Sequence, residues 1–479
     1  MLPSKAEYGV QHCFSSLLMI MVFMLLLIHL HYTPPLRSPS SGFTDPCTGK
    51  YIYIHNIPER YNSDFLRDCH TLSPWADMCS SITNAGLGPH ITNTDNSDEI
   101  LSGNCWYNSN QFTLDIIFHN RMKHYECLTD DHSLASAIFI PFYAGLDIGR
   151  HLWGANTSVR DSDSMELLHW LRSRPEWQRM GGKDHFLVAG RVTWDFRRVR
   201  VSGWGNQFLN LPEAQNMTTL IIESSPWNSN DFAIPYPTYF HPHTKNELHS
   251  WQEKMRQVKR QWLFAFAGAP RANKSLAIRE SIMEQCSASQ RCKLLDCRTN
   301  DCLSPTSIMR LFQSSVFCLQ PKGDSYTRRS VFDAMVSGCV PVFFHPGTAY
   351  VQYTWHLPKN YSLYSVFVPE DDLNEGKVRI EELLSKFSDG EVRRMREEVI
   401  KMIPTLIYGD PRLRLEGWKD AFDVAVEGVI QRVSNMKKEM EKGLSVIQVS
   451  DERESWKYAL TGGKGGKHEW DRFFQTYVP

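Results

Sequence analysis

The chain has 479 residues, room for two to four domains at roughly 100 to 200 residues each, so a disulfide-stapled miniprotein is excluded. Hydrophobic residues make up 42% and charged residues 22%, and a mean hydropathy of -0.38 argues against both wholesale disorder and a multi-span membrane protein. Lys+Arg 52 against Asp+Glu 53 leaves a formal net charge of -1, so no chain-wide basic field exists to draw nucleic acid.

From Phe14 to Leu30 the 17 residues FSSLLMIMVFMLLLIHL carry no charge. Such a run predicts one transmembrane helix over 14–31, behind a short cytosolic tail 1–13. His29 to Pro35 offers no small-x-small cleavage site, which favours an uncleaved anchor over a signal peptide. Charge fixes the orientation poorly, with Lys5 and Glu7 before the span and Arg37 after it. The acceptor tripeptides at Asn156, Asn216, Asn273 and Asn360 all follow the span and place the body in the lumen. Residues 32–46, rich in Pro and Ser, read as a stem.

Beyond the stem, short apolar runs recur at Tyr51-Ile-Tyr-Ile-His, Ala137-Ile-Phe-Ile-Pro, Phe186-Leu-Val-Ala-Gly and Leu220-Ile-Ile-Glu, with helix-like stretches at 112–122 and 165–171 between them. That is the pattern of buried parallel strands alternating with helices. The polar stretch Thr244 to Arg260 reads as a linker plus helix, dividing an N-terminal domain 47–243 from a C-terminal domain 244–441. A second strand series follows at Trp262-Leu-Phe-Ala-Phe-Ala, Val316-Phe-Cys-Leu, Val340-Pro-Val-Phe-Phe and Tyr364-Ser-Val-Phe-Val. Ser304-Pro305 supplies an N-cap hydroxyl with Pro at the first helical position. The expected fold class is therefore α/β, with two doubly wound Rossmann-like domains facing a cleft. Residues 442–479 read as a loosely ordered tail.

The segment from Val316 to Phe344 carries the sharpest signal: strand, loop Lys322-Gly-Asp-Ser-Tyr-Thr, helix from Arg328 to Ser337 stopped at Gly338, and strand. The hydroxyls of Ser325 and Thr327 and the backbone N–H groups lie at a helix N-terminus, beside Lys322, Arg328 and Arg329, and suit a phosphate-bearing ligand. Asp333, one turn after Arg329, reads equally as a helix ion-pair partner or as a carboxylate for a ribose diol. Other motifs fall away. Gly462 to Lys467 is no phosphate loop, because Lys467 precedes His468; GxSxG and HExxH do not occur. Asp161-Ser-Asp163 reads as a solvated loop rather than a cation-holding D-x-D, and His241-Pro-His243 lacks a third ligand nearby, so no metal site is expected.

Of 12 cysteines, only Cys13 precedes the expected lumen. Cys47, Cys69, Cys79, Cys105 and Cys127 fall early; Cys286, Cys292, Cys297, Cys302, Cys318 and Cys339 fall late. Local disulfides within each half are expected in an oxidising compartment. An odd number beyond the anchor leaves at least one free or bonded to another chain, and Cys318 and Cys339, inside apolar runs, are expected as buried thiols.

The runs FCLQPKGDSYTRRSVFDAMVSGCVPVFFHPGTAY, LIIESSPWNSNDFAIPYPTYFHP, KDHFLVAGRVTWDFRR and WLFAFAGAPR closely resemble the plant exostosin-like members of glycosyltransferase family 47, specifically the xyloglucan galactosyltransferase group. The resemblance runs from about Cys47 to about Arg432. It implies a GT-B fold, a UDP-sugar donor on the C-terminal domain, an acceptor glycan on the N-terminal domain, and a single-pass type II protein of the Golgi membrane. The implied reaction is inverting transfer of galactose from UDP-galactose to xylosyl side chains of xyloglucan in cell-wall hemicellulose synthesis, with other Golgi glycosyltransferases as candidate partners.

A transferase without metal or other cofactor must stabilise departing UDP with fixed cations and N–H dipoles. The expected cradle comprises Gly268 and Arg271 after the strand from Trp262, together with Lys322, Ser325, Thr327, Arg328 and Arg329; by resemblance Asp333 takes the ribose. A general base is also needed. Asp195, at the carboxyl end of the strand from Phe186, leads the candidates. Asp147 and Glu223 also lie near strand ends, and His185 begins the strand at its far edge. Trp153, Trp194 and Trp227 are candidates to stack on pyranose faces. UDP-galacturonate or UDP-arabinose as donor, or a non-catalytic Golgi scaffold subunit, are the alternatives. Asn273, two residues from Arg271, is expected to carry glycan less fully than the other three sequons.

Overall fold

Ile52–Ile54 (β1), Ala137–Phe139 (β2), His185–Val192 (β3), Thr218–Glu223 (β4) and Asp231–Ala233 (β5) hydrogen-bond side by side, all parallel, in the order β1-β2-β3-β4-β5. A second parallel sheet contains Trp262–Gly268 (β6), Cys292–Asp296 (β7), Ser315–Gln320 (β8), Val340–Phe343 (β9) and Val366–Phe367 (β10), ordered β10-β9-β8-β6-β7. The computed structural model describes residues 45–92, 100–200, 203–270, 278–442, 470 and 473–474. From Gly49 onward the chain forms one unit.

Both faces of the first sheet are covered, which is why its central strands read as unbroken apolar runs. Phe186 and Val188 of β3 face a core with Ile117 and Phe118 of the helix Leu114–Met122, whereas Leu187 and Ala189 face Leu167, Leu168 and Leu171 of the helix Thr157–Arg172. In the second sheet the strand order reverses between β6 and β8, the switch point at which open α/β sheets hold ligands. The first sheet has no such reversal, so the doubly wound expectation holds for the second sheet alone. β5 and β7 escape a search for apolar runs: the first is three residues long, and the second reads Cys-Lys-Leu-Leu-Asp at a sheet edge.

Capping explains several helix starts. Thr244 and Glu247 form a reciprocal capping box for Lys245–Gln257, and Ser304 accepts from Ser307 N ahead of Pro305. Asn156 caps Thr157–Arg172, so Asp161 and Asp163 lie on a helix and not in the solvated loop expected for them. The long helix Ala421–Glu441 follows the second sheet in sequence yet packs on the first. Its Phe422 lies 4.7 Å from Phe118, and its cap Asp420 pairs with Arg121 at 3.1 Å.

Two further expectations change. Cys318 and Cys339 are joined to each other rather than left as thiols, alongside Cys69–Cys79, Cys286–Cys292 and Cys297–Cys302, while Cys105 is a buried free thiol. Within the C-terminal tail, Trp470 and Phe474 are not loose: both are buried in the largest core. Residues 14–31, the expected anchor, lie outside the described residues, as do Arg271, Asn273 and Gly462 to Lys467. Among the described residues no helix is long and apolar enough to cross a membrane.

Candidate active site

β3 ends at Val192 and runs into a single 3-10 turn, Thr193–Phe196, that carries Trp194 and Asp195. The turn is anchored from beneath. Thr193 Oγ1 donates to Asp231 Oδ2 at 2.6 Å at the start of β5, and Arg197 Nε donates back to Thr193 Oγ1 at 2.9 Å. Asp195 is only 2% exposed. It accepts from the indole N–H of Trp204 at 2.6 Å and lies 3.5 Å from the Arg191 guanidinium. Burial pushes its carboxyl above the ordinary range, with Arg191 and Trp204 opposing and Glu223 adding to the rise.

Glu223 closes β4 and reaches across to the loop after β8. Its Oε2 accepts from Ser325 Oγ at 2.7 Å, Thr327 N at 2.7 Å and Thr327 Oγ1 at 2.6 Å; its Oε1 accepts from Trp194 Nε1 at 2.9 Å and Tyr326 N at 3.3 Å. The same hydroxyls and N–H groups that sequence reasoning gave to a phosphate thus hold a carboxylate from the other sheet. An anion-suited loop is what this geometry describes. Two further contacts bring the carboxyl edges of the sheets together: Tyr353 OH donates to Ile222 O at 2.9 Å and Gln352 Nε2 to Ser224 O at 3.1 Å.

The loops at the switch point are braced by buried Arg279, whose Nε donates to Lys322 O at 3.2 Å and whose Nη1 donates to Ala269 O at 3.5 Å. Gly268 closes β6, and a side chain there would overlap the Phe266 ring. Lys322 pairs with Glu370 at 2.7 Å. Arg328 is the extended residue before the helix Arg329–Val336, its guanidinium lying against Gly323. Arg329 forms the i,i+4 pair with Asp333 at 3.3 Å, stacks 3.6 Å from the Tyr239 ring centroid and donates to Ser109 O. Burial pushes Asp333 up to about 6, and its Oδ1 has no hydrogen-bond partner among the described residues.

The remaining candidates scatter. Asp147 is buried in the helix Ala144–Gly149 and shares Arg150 with Asp163; burial raises its carboxyl to about 7, with Arg150 opposing and Asp163 adding to the rise. Asp161 is gripped by Arg198 at 2.5 Å. His185 stands at the opposite end of β3 from Asp195, between Asp184 at 2.8 Å and His55 at 3.3 Å. His241 bonds Ser109 and the carbonyls of Tyr408 and Thr238, and His243 pairs with Glu247. Trp194 and Trp227 face each other at 6.1 Å between the sheets, while Trp153 stands half exposed on the outer surface. Asn156, Asn216 and Asn360 are exposed. Sequence reasoning missed Arg191, Arg279 and Trp204, which are single polar or aromatic residues without a motif. It also missed Phe474, whose ring lies 5.9 Å from Tyr326 and 6.1 Å from Trp227.

Two parallel sheets meeting at their carboxyl edges, one of them ending in a donor-rich loop at its switch point, follow the GT-B plan for handling nucleotide sugars. The chain belongs to the Exostosin GT47 family, whose domain matches residues 46–384. It is 56% identical over 443 residues to xyloglucan galactosyltransferase MUR3 of Arabidopsis thaliana, covering 91% of this chain and 71% of that one. The probable xyloglucan galactosyltransferase GT12 of the same plant is 49% identical over 409 residues, covering 84% and 80%. Its xyloglucan-specific galacturonosyltransferase 1 is 38% identical over 391 residues, covering 81% and 58%.

Proposed function

We propose that this chain is an inverting galactosyltransferase that moves galactose from UDP-galactose to a xylosyl side chain of xyloglucan, in the Golgi lumen, held by a type II anchor over 14–31 and glycosylated at Asn156, Asn216 and Asn360. The observation that carries this reading is Asp195, a buried carboxylate at the carboxyl end of β3, with Glu223 on the neighbouring strand gripping Ser325, Tyr326 and Thr327. Ionised Asp195 takes the proton of the acceptor hydroxyl as that oxygen bonds to the anomeric carbon. The bond to UDP breaks on the opposite face, and the leaving diphosphate carries the electron pair away. Burial above the ordinary carboxylate range brings Asp195 nearer to working pH, where a general base is most effective. Arg328 and Lys322, the latter while paired with Glu370, supply positive potential for UDP without a metal, whereas the N–H groups of Tyr326 and Thr327 are spent on Glu223. Glu223, with both oxygens already taken by five donors, positions the loop rather than the proton.

The test is a panel of UDP-sugars given to the luminal body with and without xyloglucan oligosaccharides, in EDTA. UDP release from UDP-galactose that depends on the oligosaccharide, with a β-linked galactosyl product by NMR, is the expected result. Preference for UDP-galacturonate or UDP-arabinose reassigns the donor, chelator-abolished activity restored by Mn²⁺ returns a metal to the site, and silence with every donor favours a scaffold subunit.

A further inference from the structure

Among the described residues, Trp75, Trp153 and Trp204 are the tryptophans that stand among the exposed large hydrophobic residues, at 57%, 52% and 49% exposure. All three are in one cluster: Trp75 and Trp153 lie 4.5 Å apart between ring centroids, and Trp153 and Trp204 stack at 4.9 Å with 27° between planes. Chance scatter of surface residues does not bring half-exposed indoles into a single patch, and a contiguous exposed aromatic surface marks a binding site. The patch is also built rather than incidental. Arg160, itself 6% exposed, donates from one nitrogen to the carbonyls of Leu152, Gly203 and Gly205, the residues that flank Trp153 and Trp204. Arg198 adds a second bond to Gly205 O at 2.8 Å, and Gly205 N donates to Leu152 O at 2.8 Å. Trp75 arrives from a different part of the chain, on the loop closed by Cys69–Cys79. Indoles whose backbones are fixed in this way lose little freedom on binding a ligand.

We infer that this patch is an outer acceptor subsite that holds the β-glucan backbone of a xyloglucan polymer beyond the xylose being modified. The inference rests on the proposed reaction. Its occupant follows from continuity: the innermost indole, Trp204, donates its N–H to Asp195 at 2.6 Å, so the patch begins at the proposed base and runs outward from it. A chain of pyranose rings presents C–H faces to aromatic surface and hydroxyl rims to water, and a half-exposed indole surface takes such a partner. A nucleotide sugar is served on the other side of Asp195, by the loop that Glu223 grips. The consequence is selection by length. A polymer reaches the patch while a short oligosaccharide fills only the space at Asp195.

Electrophoretic retardation of the luminal body in gels containing xyloglucan polymer tests this without any transfer reaction, so it stands apart from the donor panel. The wild-type chain is expected to be retarded, with apparent affinity falling about tenfold in Trp75→Ala and further in Trp75→Ala/Trp153→Ala. Trp75→Phe, which keeps an aromatic face, should recover part of the retardation. Absence of retardation in the wild type, or equal retardation in all variants, overturns the subsite whatever the panel shows. A change in sedimentation coefficient on Trp75→Ala with retardation intact overturns it in favour of contact between copies of the chain. With an active enzyme, the ratio of KM for polymer to KM for a xyloglucan oligosaccharide should rise about tenfold in Trp75→Ala, and a constant ratio counts against the subsite.

Discussion

Asp195 and Glu223 are both buried carboxylates held by an indole N–H, yet their remaining partners differ in kind. Asp195 faces Arg191 and Trp204 and keeps lone pairs for an incoming hydroxyl; Glu223 spends its oxygens on the loop at Ser325 to Thr327. Asp195→Asn should therefore lower kcat by about 10² to 10⁴, the usual contribution of a general base, with donor KM within about twofold. Glu223→Gln turns one acceptor oxygen into a donor facing N–H groups and should raise donor KM. Steady-state kinetics against both substrates separates the two, and full activity in Asp195→Asn would remove the base assignment. Asp147, paired with Arg150, has a consequence for stability. Its folded carboxyl is raised from 3.8 to about 7, so the folded protein holds a proton that the unfolded chain has released, and this stabilisation is lost as pH rises from about 4 through about 7. Asp147→Asn lacks that loss. The difference in Tm, variant minus wild type, should be more positive at pH 7.5 than at pH 5, and thermal scans at both values check it.

The loop from Pro321 to Arg328 depends on more than its own sequence. Tyr326 stacks on His345 at 4.8 Å, and Phe474 closes on both rings from the C-terminal tail, 5% exposed. Phe474→Ala should cost roughly 3 kcal/mol of stability and raise donor KM with little change in kcat, because it loosens the loop and touches no proposed reacting atom. Denaturant melts and donor titrations test both parts; unchanged donor KM would make the tail a structural prop only. What could be read from sequence follows the same division between local and distant causes. β3, β4, β8 and β9 were legible because both faces are buried, and the helix after Ser304 because its cap and Pro305 are neighbours in sequence. Asp195 was legible as a carboxylate at a strand end. The grip of Glu223 on Thr327 was not, since the partners are 104 residues apart and each alone has an ordinary local reading. Phe474 failed for a similar reason: a tail poor in apolar runs gives no local sign that Trp470 and Phe474 will find a core.

At the scale of the whole molecule, each sheet keeps an interior of its own, but the largest core spans both. The largest core contains Phe186 and Val188 from the first sheet, Phe343 from the second, and Phe422 and Val429 from the returning helix Ala421–Glu441. That helix is fixed to the first sheet by Arg121, whose guanidinium bonds Asp420 at 3.1 Å and Asp423 at 3.3 Å, with Arg121 at 4% and Asp420 at 0% side-chain exposure. Removing one partner from a buried pair strands the other charge and costs roughly 3 to 5 kcal/mol. A chain of this size would ordinarily unfold domain by domain. The shared core argues for the opposite, a single calorimetric transition for the luminal body whose van't Hoff and calorimetric enthalpies agree. Arg121→Ala should move that whole transition to lower temperature without dividing it, because the helix is held by apolar packing as well as by charge. Two resolved transitions in the wild type would show that the sheets unfold independently. Two transitions in the variant alone would make the Arg121 pair the fastening that joins them.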